Sequence, residues 1–359
     1  MTPPPSLRQH ERPQPKKSGW ARVLLFVGAL CFGLIIFGIS RSWITQSVTR
    51  PSPNVRAADA AEDYPSRPVH LLVGFPSGGP VDIAGRTIGA WLSGRTGRPF
   101  IVENRPGESG NVATRAVVKA GPDGYTLLVC GPVNVINTAL FGPMDFDFGA
   151  DVTAVAGLFR VPLIVEVNRA LPISTVPELL AYARANPGRL KVAYAGHGTP
   201  QHVAIELFKA MAGVDLTLVS YAGSTPALEA LLAGEADVMF DPMPSSIGLI
   251  NSGRLKPLAV TTSSRSEALP QVPPMNDFVR GYEAASWFGI GAPRGTPPAI
   301  ITRLNTEINA GLTDPGVRTR VAELGGILMP GSPGAFAAFM AAETEKYRVV
   351  ILAAKIKSK

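Results

Sequence analysis

Apolar positions change their spacing repeatedly along the chain from about residue 64 onward. Short apolar runs, typical of buried strands, alternate with segments whose apolar residues recur every three or four positions, as on amphipathic helices. The predicted strands are Val69–Val73, Pro99–Val102, Tyr125–Val129, Leu163–Val167, Lys191–Tyr194, Thr217–Val219, Asp237–Phe240, Leu258–Val260 and Ala285–Gly291. The predicted helices are Pro80–Ser93, Gly110–Lys119, Val176–Ala185, Pro200–Ala212, Thr225–Ala233 and Pro298–Gly311, with a long helical region over Pro330–Lys357. This alternation predicts an α/β fold with parallel sheets covered on both faces, and the length predicts two domains.

The first 63 residues differ in composition from the rest and are predicted to be a disordered N-terminus with one apolar segment. Residues 23–39 contain no charge and follow Lys16, Lys17 and Arg22, a bias that places the N-terminus in the cytoplasm. The segment is either a signal peptide or a retained transmembrane anchor, and a mis-assigned start codon is a third alternative. We therefore expect export to the periplasm, with retention at the inner membrane if the segment is not cleaved.

The formal net charge of +7 comes from this N-terminal part. Residues 1–57 hold eight of the 34 Lys/Arg and one of the 27 Asp/Glu, so the remainder carries 26 of each. A neutral globular part indicates no basic face, and we expect no nucleic-acid partner. Cys130, the only cysteine outside residues 23–39, is interpreted as a small core residue.

Several predicted strand-to-helix turns suit anion binding. In the turn Phe75–Asp82, glycines let another molecule approach the free N–H groups of a helix start, and Asp82 falls in the first helical turn. Comparable turns are Gly131-Pro132-Val133-Asn134, Ala195-Gly196-His197-Gly198-Thr199-Pro200, Tyr221-Ala222-Gly223-Ser224-Thr225-Pro226 and Phe240-Asp241-Pro242. Thr199 and Thr225 are predicted N-caps, each followed by proline at the first helical position. Either these are ordinary turns, or they form an anion site at the carboxyl ends of the strands.

Patterns that would indicate an enzyme are missing from the sequence. There is no G-x-S-x-G nucleophile turn, and no lysine follows the glycines in the manner of a phosphate-binding loop. His197 and His202 are five positions apart across a helix start, a poor spacing for a metal site on one helix face. His202 either packs on the first helical turn or contacts a ligand. We expect no catalytic residue, no metal and no cofactor.

A set of segments then identifies a resemblance to a known family. The segments are YPSRPVHLLVGFPSGGPVDIAGR (64–86), VENRPGESGN (102–111), AGPDGYTLL (120–128), YAGHGTPQH (194–202), YAGSTPALEALLAGEADVMFD (221–241), LAVTTSSRS (258–266) and WFGIGAPRGTP (287–297). Together they resemble the Bug-type periplasmic solute receptors of tripartite tricarboxylate transport systems. The segments run in order from about residue 64 to the C-terminus, so the resemblance covers the whole predicted exported part.

The resemblance implies a two-lobed periplasmic binding protein of the Venus flytrap type, with two doubly wound sheets and two crossover strands. Lobe 1 would comprise residues 64–165 plus 286–359 and lobe 2 residues 166–285, with crossovers near Leu163–Val167 and Ala285–Gly291. The lobes would close on a ligand held largely by backbone amides, hydroxyls and waters. The predicted ligand-binding residues are Phe75, Ser77, Gly78, Gly79, Asp82, Val133, Asn134, His197, Gly198, Thr199, His202, Gly223, Ser224, Thr225 and Asp241.

The expected ligand is a small carboxylate: a dicarboxylate, an amino acid or an aromatic acid. Ala222 stands where the family commonly has lysine and His197 where asparagine is frequent, which favours a ligand smaller and less charged than citrate. We expect a monomeric receptor that passes its ligand to tripartite-type membrane transporter subunits. The alternative from another class is a sensing module that presents the bound carboxylate to a membrane sensor protein, and an enzyme using the cleft is the third hypothesis.

Overall fold

The computed structural model describes residues 63–141 and 144–357. The apolar segment at residues 23–39 lies outside this range, so its predicted role stays a prediction. Within the described ranges, no helix is both long and apolar enough to cross a membrane. All described residues belong to one compact unit of the chain.

Strands and helices alternate over most of the described chain. The strands are β1 Val69–Val73, β2 Phe100–Asn104, β3 Thr126–Cys130, β4 Val152–Asn168, β5 Lys191–Tyr194, β6 Thr217–Ser220, β7 Val238–Pro242, β8 Leu255–Val260, β9 Ala285–Pro293 and β10 Ile327–Leu328. The α-helices are α1 Pro80–Thr96, α2 Asn111–Val118, α3 Pro132–Leu140, α4 Phe148–Asp151, α5 Val176–Ala185, α6 Pro200–Ala212, α7 Ser224–Ala233, α8 Met243–Asn251, α9 Pro298–Thr313, α10 Pro315–Glu323 and α11 Pro333–Ala353. Two short 3₁₀ helices, Glu108–Gly110 and Met275–Asp277, complete the described elements.

The strands form one continuous mixed sheet in the order β2-β1-β3-β9-β4-β7-β5-β6, with β8 and β10 also paired to β4. We call the part with β1, β2, β3, β9 and β10 the first half of the sheet, and the part with β5 to β8 the second half. Parallel pairing holds for β1 with β2 and β3, and for β5 with β6 and β7. The α/β class is confirmed, and the predicted parallel pairing holds for these strands, whereas the sheet as a whole is mixed. Strands β4 and β9 run antiparallel to their neighbours because they carry the chain between the two halves.

The long strand β4 belongs to both halves of the sheet. Its residues 152–162 pair with β9, and its residues 163–167 pair with β7. The sequence predicted only Leu163–Val167, because Gly157 and Pro162 interrupt the apolar pattern of the earlier part. The chain returns to the first half at Ala285, which pairs with Pro162. The predicted lobe boundaries follow this connectivity but stay a prediction.

Both halves bury apolar side chains on the two faces of the sheet. In β1, Leu71 and Val73 pack into one cluster while Leu72 packs into another on the opposite face. In β4, Leu163 and Val165 face one cluster and Ile164 faces another. Such burial on both faces is what near-continuous apolar strands predict, since successive side chains point to opposite faces. Cys130 lies in the core, as expected.

Four α-helices were not predicted, and each has a local reason. Helix α3 is only nine residues long and buries most of them, including its polar residues Asn134 and Asn137, so it has no exposed polar face to mark it in the sequence. Helix α8 contains proline, serine and glycine, which are weak helix formers, and forms through packing on the sheet. The short α4 and the helix α10 depend on aspartate N-caps, Asp147 and Asp314, that the periodicity analysis did not weigh.

Candidate anion-binding cavity

The carboxylate of Asp82 stabilises the turn between β1 and α1. Gly78 adopts a left-handed conformation (φ 80°), which a residue with a side chain rarely adopts. The Asp82 carboxylate accepts hydrogen bonds from the Gly78 N–H (2.9 Å), from Arg86 Nε (2.9 Å) and from Asn104 Nδ2 (2.9 Å). Ser77 Oγ adds a fourth donor at 3.3 Å. Asp82 therefore supports the shape of the glycine turn through protein donors.

These hydrogen bonds also fix the charge of Asp82. Burial alone would raise its pKa, but the hydrogen bonds from Arg86, Gly78 and Asn104 outweigh burial and hold the pKa below its usual value. Asp82 is therefore ionised at neutral pH. Arg86, half exposed, supplies the balancing positive charge next to it.

Four helix N-termini converge on one small cavity of about 30 Å³. The helices are α1, α3, α6 and α7, each of which follows the carboxyl end of a strand. The cavity is lined by Phe75, Pro80, Val81, Gly131, Pro132, Val133, Ala195, Thr199, Pro200, Gln201, Ser224, Pro242, Ser286 and Phe288. None of these lining residues is charged. Helix N-termini carry unpaired N–H groups and the positive end of the helix dipole, so their convergence favours an anionic group.

The first-half side of the cavity depends on a cap at the start of α3. Asn134 Oδ1 accepts a hydrogen bond from the Gly131 N–H (3.0 Å), while Asn134 Nδ2 donates to Thr114 Oγ1 (2.9 Å). A side chain at Gly131 would approach Trp287 O to 2.9 Å, so this position requires glycine. Asn134 does not line the cavity and shapes the helix start, and its predicted ligand contact stays a prediction.

In the second half, the turn before α6 is stabilised by the rings of His202 and Tyr194. Thr199 is the N-cap as predicted, and its hydroxyl accepts from the His202 N–H (3.3 Å). The Gly198 N–H donates to His202 Nδ1 (3.3 Å), and Tyr194 stacks on the His202 ring with centroids 5.2 Å apart. Burial lowers the pKa of His202 to about 4, so the ring is neutral and packs on the first helical turn.

His197 lies on a different surface from the small cavity. It lines a more open groove of about 650 Å³ along the same boundary between the halves, together with Ser109 and Tyr221. The Tyr194 hydroxyl lies 3.0 Å from His197 Nε2. The predicted influence of His197 on ligand choice therefore concerns this outer groove.

Behind α7 lies a buried polar network centred on Asp241. Asp241 Oδ1 accepts from Ser224 Oγ (2.5 Å) and Gln201 Nε2 (3.3 Å), and Ser224 and Gln201 both line the cavity. Asp241 Oδ2 accepts from Ser246 Oγ (3.0 Å) and also from the hydroxyl of Ser245. Burial raises the pKa of Asp241 although these four side chains oppose the shift.

The start of α7 differs from the prediction. Gly223 is the N-cap and the helix begins at Ser224, so Thr225 does not cap it and Pro226 is not its first residue. The Thr225 hydroxyl instead donates to Ser77 O across the two halves (2.9 Å). Thr225 is thus the second residue of the helix, one position past its first residue and two past the N-cap.

Direct contacts close the boundary between the halves around the cavity. An atom added at Cβ of Gly223 would lie 2.7 Å from Pro76 Cδ, and one added at Gly198 would lie 2.2 Å from Asn137 Oδ1. Both glycines therefore allow an approach that larger residues would prevent. Gly198 also has a left-handed conformation (φ 71°).

Of the predicted site residues, Phe75, Val133, Thr199 and Ser224 line the small cavity. The others lie in the turns and caps behind or beside it, as described above, and their ligand contacts stay predictions. The sequence analysis missed several lining residues, including Gln201, Ser286 and Phe288. Gln201 follows the predicted cap by two positions and could have been found from that, whereas Ser286 and Phe288 on β9 gave no sequence signal.

Metal chelation finds no support in the part of the chain that the structure describes. No cluster of three or more His, Cys, Asp or Glu residues in residues 63–141 and 144–357 could hold a metal ion. The acidic pair nearest the cavity, Asp241 and Glu166, is bridged by the Ser246 hydroxyl instead.

This arrangement, a mixed α/β sheet in two halves with helix starts facing a cavity between them, is that of a periplasmic solute-binding protein. Residues 85–356 match the model of the tripartite tricarboxylate transporter family receptor. The chain belongs to this family, whose members are binding proteins rather than enzymes.

Individual relatives agree with the family model. The chain is 34% identical to the UPF0065 protein in the tcbD-tcbE intergenic region of Pseudomonas sp. (strain P51), over 86% of this chain and 92% of that protein. It is 33% identical to protein BugT of Bordetella pertussis, over 83% of this chain and 92% of BugT.

Solved structures show the same fold. Rpa4515 of R. palustris, solved with adipate, superposes with a TM-score of 0.80 at 39% identity, covering 82% of this chain and 99% of that one. MatC of Rhodopseudomonas palustris, solved with bound malate, gives a TM-score of 0.76 at 31% identity, covering 80% of this chain and all of MatC. The periplasmic binding protein BugD gives a TM-score of 0.79 at 28% identity, with 82% and 100% coverage.

Proposed function

We propose that the protein is a periplasmic receptor that binds one small carboxylate compound between the two halves of its sheet. The observation that carries the proposal is the convergence of four helix N-termini on a cavity without charged side chains. Such a site attracts an anion through backbone N–H groups and helix dipoles. No lysine or arginine lines this cavity, and Arg115 in the outer groove is paired with Glu108 and Asp145.

The volume of the cavity supports the binding of one carboxylate group in it. A cavity of about 30 Å³ is small, which fits a single carboxylate group better than a whole dicarboxylate. The rest of the ligand would extend toward the outer groove that His197 lines. A dicarboxylate, an amino acid or an aromatic acid fits this description, and two relatives were solved with the dicarboxylates adipate and malate.

Closure of two lobes on the ligand is part of this proposal. Residues 64–165 plus 286–359 would form one lobe and residues 166–285 the other, with bending where β4 and β9 cross between them. A ligand that contacts both lobes favours the closed state, so small-angle scattering should show a smaller radius of gyration with ligand than without.

The receptor would act as a monomer and deliver its ligand to membrane subunits of a tripartite tricarboxylate transporter. A sensor protein in the membrane is the second candidate partner, and deletion of the gene for this receptor distinguishes the two. Loss of uptake favours transport, whereas a lost transcriptional response with normal uptake favours sensing. Cell fractionation with N-terminal sequencing decides whether residues 23–39 are cleaved or hold the protein at the inner membrane.

Binding itself is tested by calorimetry with adipate, malate, glutamate and benzoate, alongside mass spectrometry of ligand released from the purified protein. Val81→Phe should fill the cavity and weaken binding at least tenfold, about 1.4 kcal/mol, because Val81 lies on its wall. Ile83→Phe is the matched control, since Ile83 lies on the same helix but outside the cavity. Equal affinities of the two variants, or no carboxylate bound by the wild type, would overturn the proposal.

A further inference from the structure

A second acidic side chain lies behind the cavity wall and has no evident role in holding a ligand. Glu166, on β4, is completely buried. Its Oε1 lies 2.7 Å from Ser246 Oγ, and its Oε2 has no hydrogen-bond partner. An ionised carboxylate in that position would keep half of its negative charge on an oxygen without any donor, which is far costlier than burying a neutral carbonyl oxygen.

The contacts of the Ser246 hydroxyl require a proton on one of two neighbouring carboxyl groups. Ser246 Oγ lies 2.7 Å from Glu166 Oε1 and 3.0 Å from Asp241 Oδ2, but it has one hydrogen to donate. If both carboxyl groups were ionised, one of these contacts would join two oxygens with no hydrogen between them. One of the two carboxyl groups therefore carries a proton.

The remaining contacts decide which of the two groups carries it. Asp241 accepts hydrogen bonds from three further side chains, those of Ser224, Gln201 and Ser245, as an ionised carboxylate does. Glu166 has Ser246 alone. The proton therefore belongs on Glu166, and the hydrogen bonds run in one direction, from Glu166 to Ser246 and from Ser246 to Asp241.

We propose that Glu166 is a neutral carboxylic acid at neutral pH and that it positions Ser224 and Gln201 on the cavity wall through Ser246 and Asp241. The effect on ligand binding rests on the proposed function, but the location of the proton does not. With the proton in place, Asp241 carries the only negative charge of the pair and holds Ser224 and Gln201 in fixed orientations. Without it, a second buried negative charge would face the anion site.

The electrostatic surroundings agree with this assignment. Burial, and then the neighbouring Asp241, raises the pKa of Glu166 well above its usual value. The groups that face Asp241 come from β4 (Glu166), α6 (Gln201), α7 (Ser224) and α8 (Ser245 and Ser246). Glu166 is the only titratable group among these partners, and none of them is a cation that could stabilise two negative charges.

Infrared spectroscopy tests the proton directly. The wild-type spectrum at pH 7, minus that of Glu166→Gln, should contain the C=O stretch of one protonated carboxylic acid. Glu323→Gln is the control, because Glu323 is exposed and pairs with Arg320, and its difference spectrum should show loss of an ionised carboxylate. A Glu166 difference spectrum that shows only an ionised carboxylate would overturn the proposal.

Calorimetry with adipate tests the positioning role. Glu166→Gln keeps an N–H donor for Ser246 and should bind within twofold of the wild type, whereas Glu166→Ala removes the donor and should bind at least fivefold more weakly. Equal binding by both variants would overturn the positioning role. If the wild type binds none of the carboxylates tested, the proposed function fails, while the infrared result still decides where the proton lies.

Discussion

Two buried aspartates support helix starts on opposite sides of the cavity, and they are balanced in different ways. Asp82, under the β1–α1 turn, bonds the half-exposed Arg86 and has its pKa held low. Asp241, behind α7, bonds hydroxyl and amide groups only, and burial raises its pKa. The first half of the sheet thus pairs its buried aspartate with a half-exposed arginine, and the second half uses a buried network with a neighbouring acid.

The difference shows two ways of placing a carboxylate near an anion site. An aspartate beside a cation adds no net charge, so it does not oppose the attraction of the nearby helix N-termini for an anion. A buried aspartate without a cation depends on hydrogen-bond donors and on the neutrality of the acid beside it. The two halves should therefore respond differently to mutation and to pH.

The largest expected effect is from the removal of the Asp241 carboxylate. Asp241→Ala would leave several buried donors without an acceptor, and we expect a loss of about 3 kcal/mol or more in the free energy of unfolding, measured with urea. Asp241→Asn keeps the volume and one acceptor oxygen, so it should lose less. A loss below about 1 kcal/mol for the alanine variant would show that the network does not stabilise the second half.

The contact between the halves at Gly198 should give the next largest effect. Gly198→Ala combines a left-handed backbone with a clash against Asn137, and we expect a loss of about 2 kcal/mol or more together with a larger radius of gyration.

Gly213→Ala is the matched control for this change. Gly213 has a similar conformation (φ 63°) but no atom within 4 Å of an added Cβ, so only the backbone strain of about 1 kcal/mol applies. Equal losses and equal scattering curves for the two variants would mean that the halves do not meet at Gly198.

Asp82→Asn should lower the free energy of unfolding by about 1–2 kcal/mol at neutral pH. The folded-state pKa of Asp82 is lowered, so its contribution is present above the unfolded pKa of about 4 and is lost as the pH falls through the folded pKa. Urea titrations at several pH values should therefore show the wild-type advantage shrinking in acid.

Two comparisons sharpen this result. Asp123→Asn, in an exposed ion pair with Arg67, should change stability by less than about 1 kcal/mol. Glu166 should behave in the opposite sense to Asp82, because its pKa is raised and its contribution is lost as the pH rises. If Asp82→Asn shows the same deficit at every pH, the carboxylate charge is not what stabilises the turn.

The smallest expected effect is from Thr225→Val, which removes the hydrogen bond to Ser77 O without changing the shape of the side chain. Because the site is exposed, we expect a loss of about 0.5–1 kcal/mol, and Thr225→Ser should retain most of the stability. An equal loss in both variants would point to the methyl group instead of the hydrogen bond.

Local signals explain what the sequence could predict. Proline at the first helical position marks the starts of α1 and α6, and α6 also has a threonine cap; both starts lie where they were expected. The predicted Thr225 cap is wrong because the helix begins one residue earlier, at Ser224, with Gly223 as its N-cap. A short motif indicates that a helix starts nearby but not at which of two adjacent residues.

Tertiary contacts explain what could not be predicted. Ser286 reaches the cavity because β9 lies between β3 and β4, a neighbourhood that no local pattern encodes. Glu166 stood inside an apolar strand without any sign that Ser246 and Asp241 would face it. Helix α3 was not predicted because nearly all of it is buried.

The course of β4 and β9 also sets an order for the growing chain during synthesis. All strands of the second half, β5 to β8, lie between these two, so residues 163–260 can complete their sheet from a continuous stretch of chain. Strands β1 to β3 of the first half are synthesised early, but the first half is complete only after β9 and α11, near the C-terminus, have been synthesised. We therefore expect the middle of the chain to become resistant to protease before its beginning does, as ribosome-bound chains of increasing length would show.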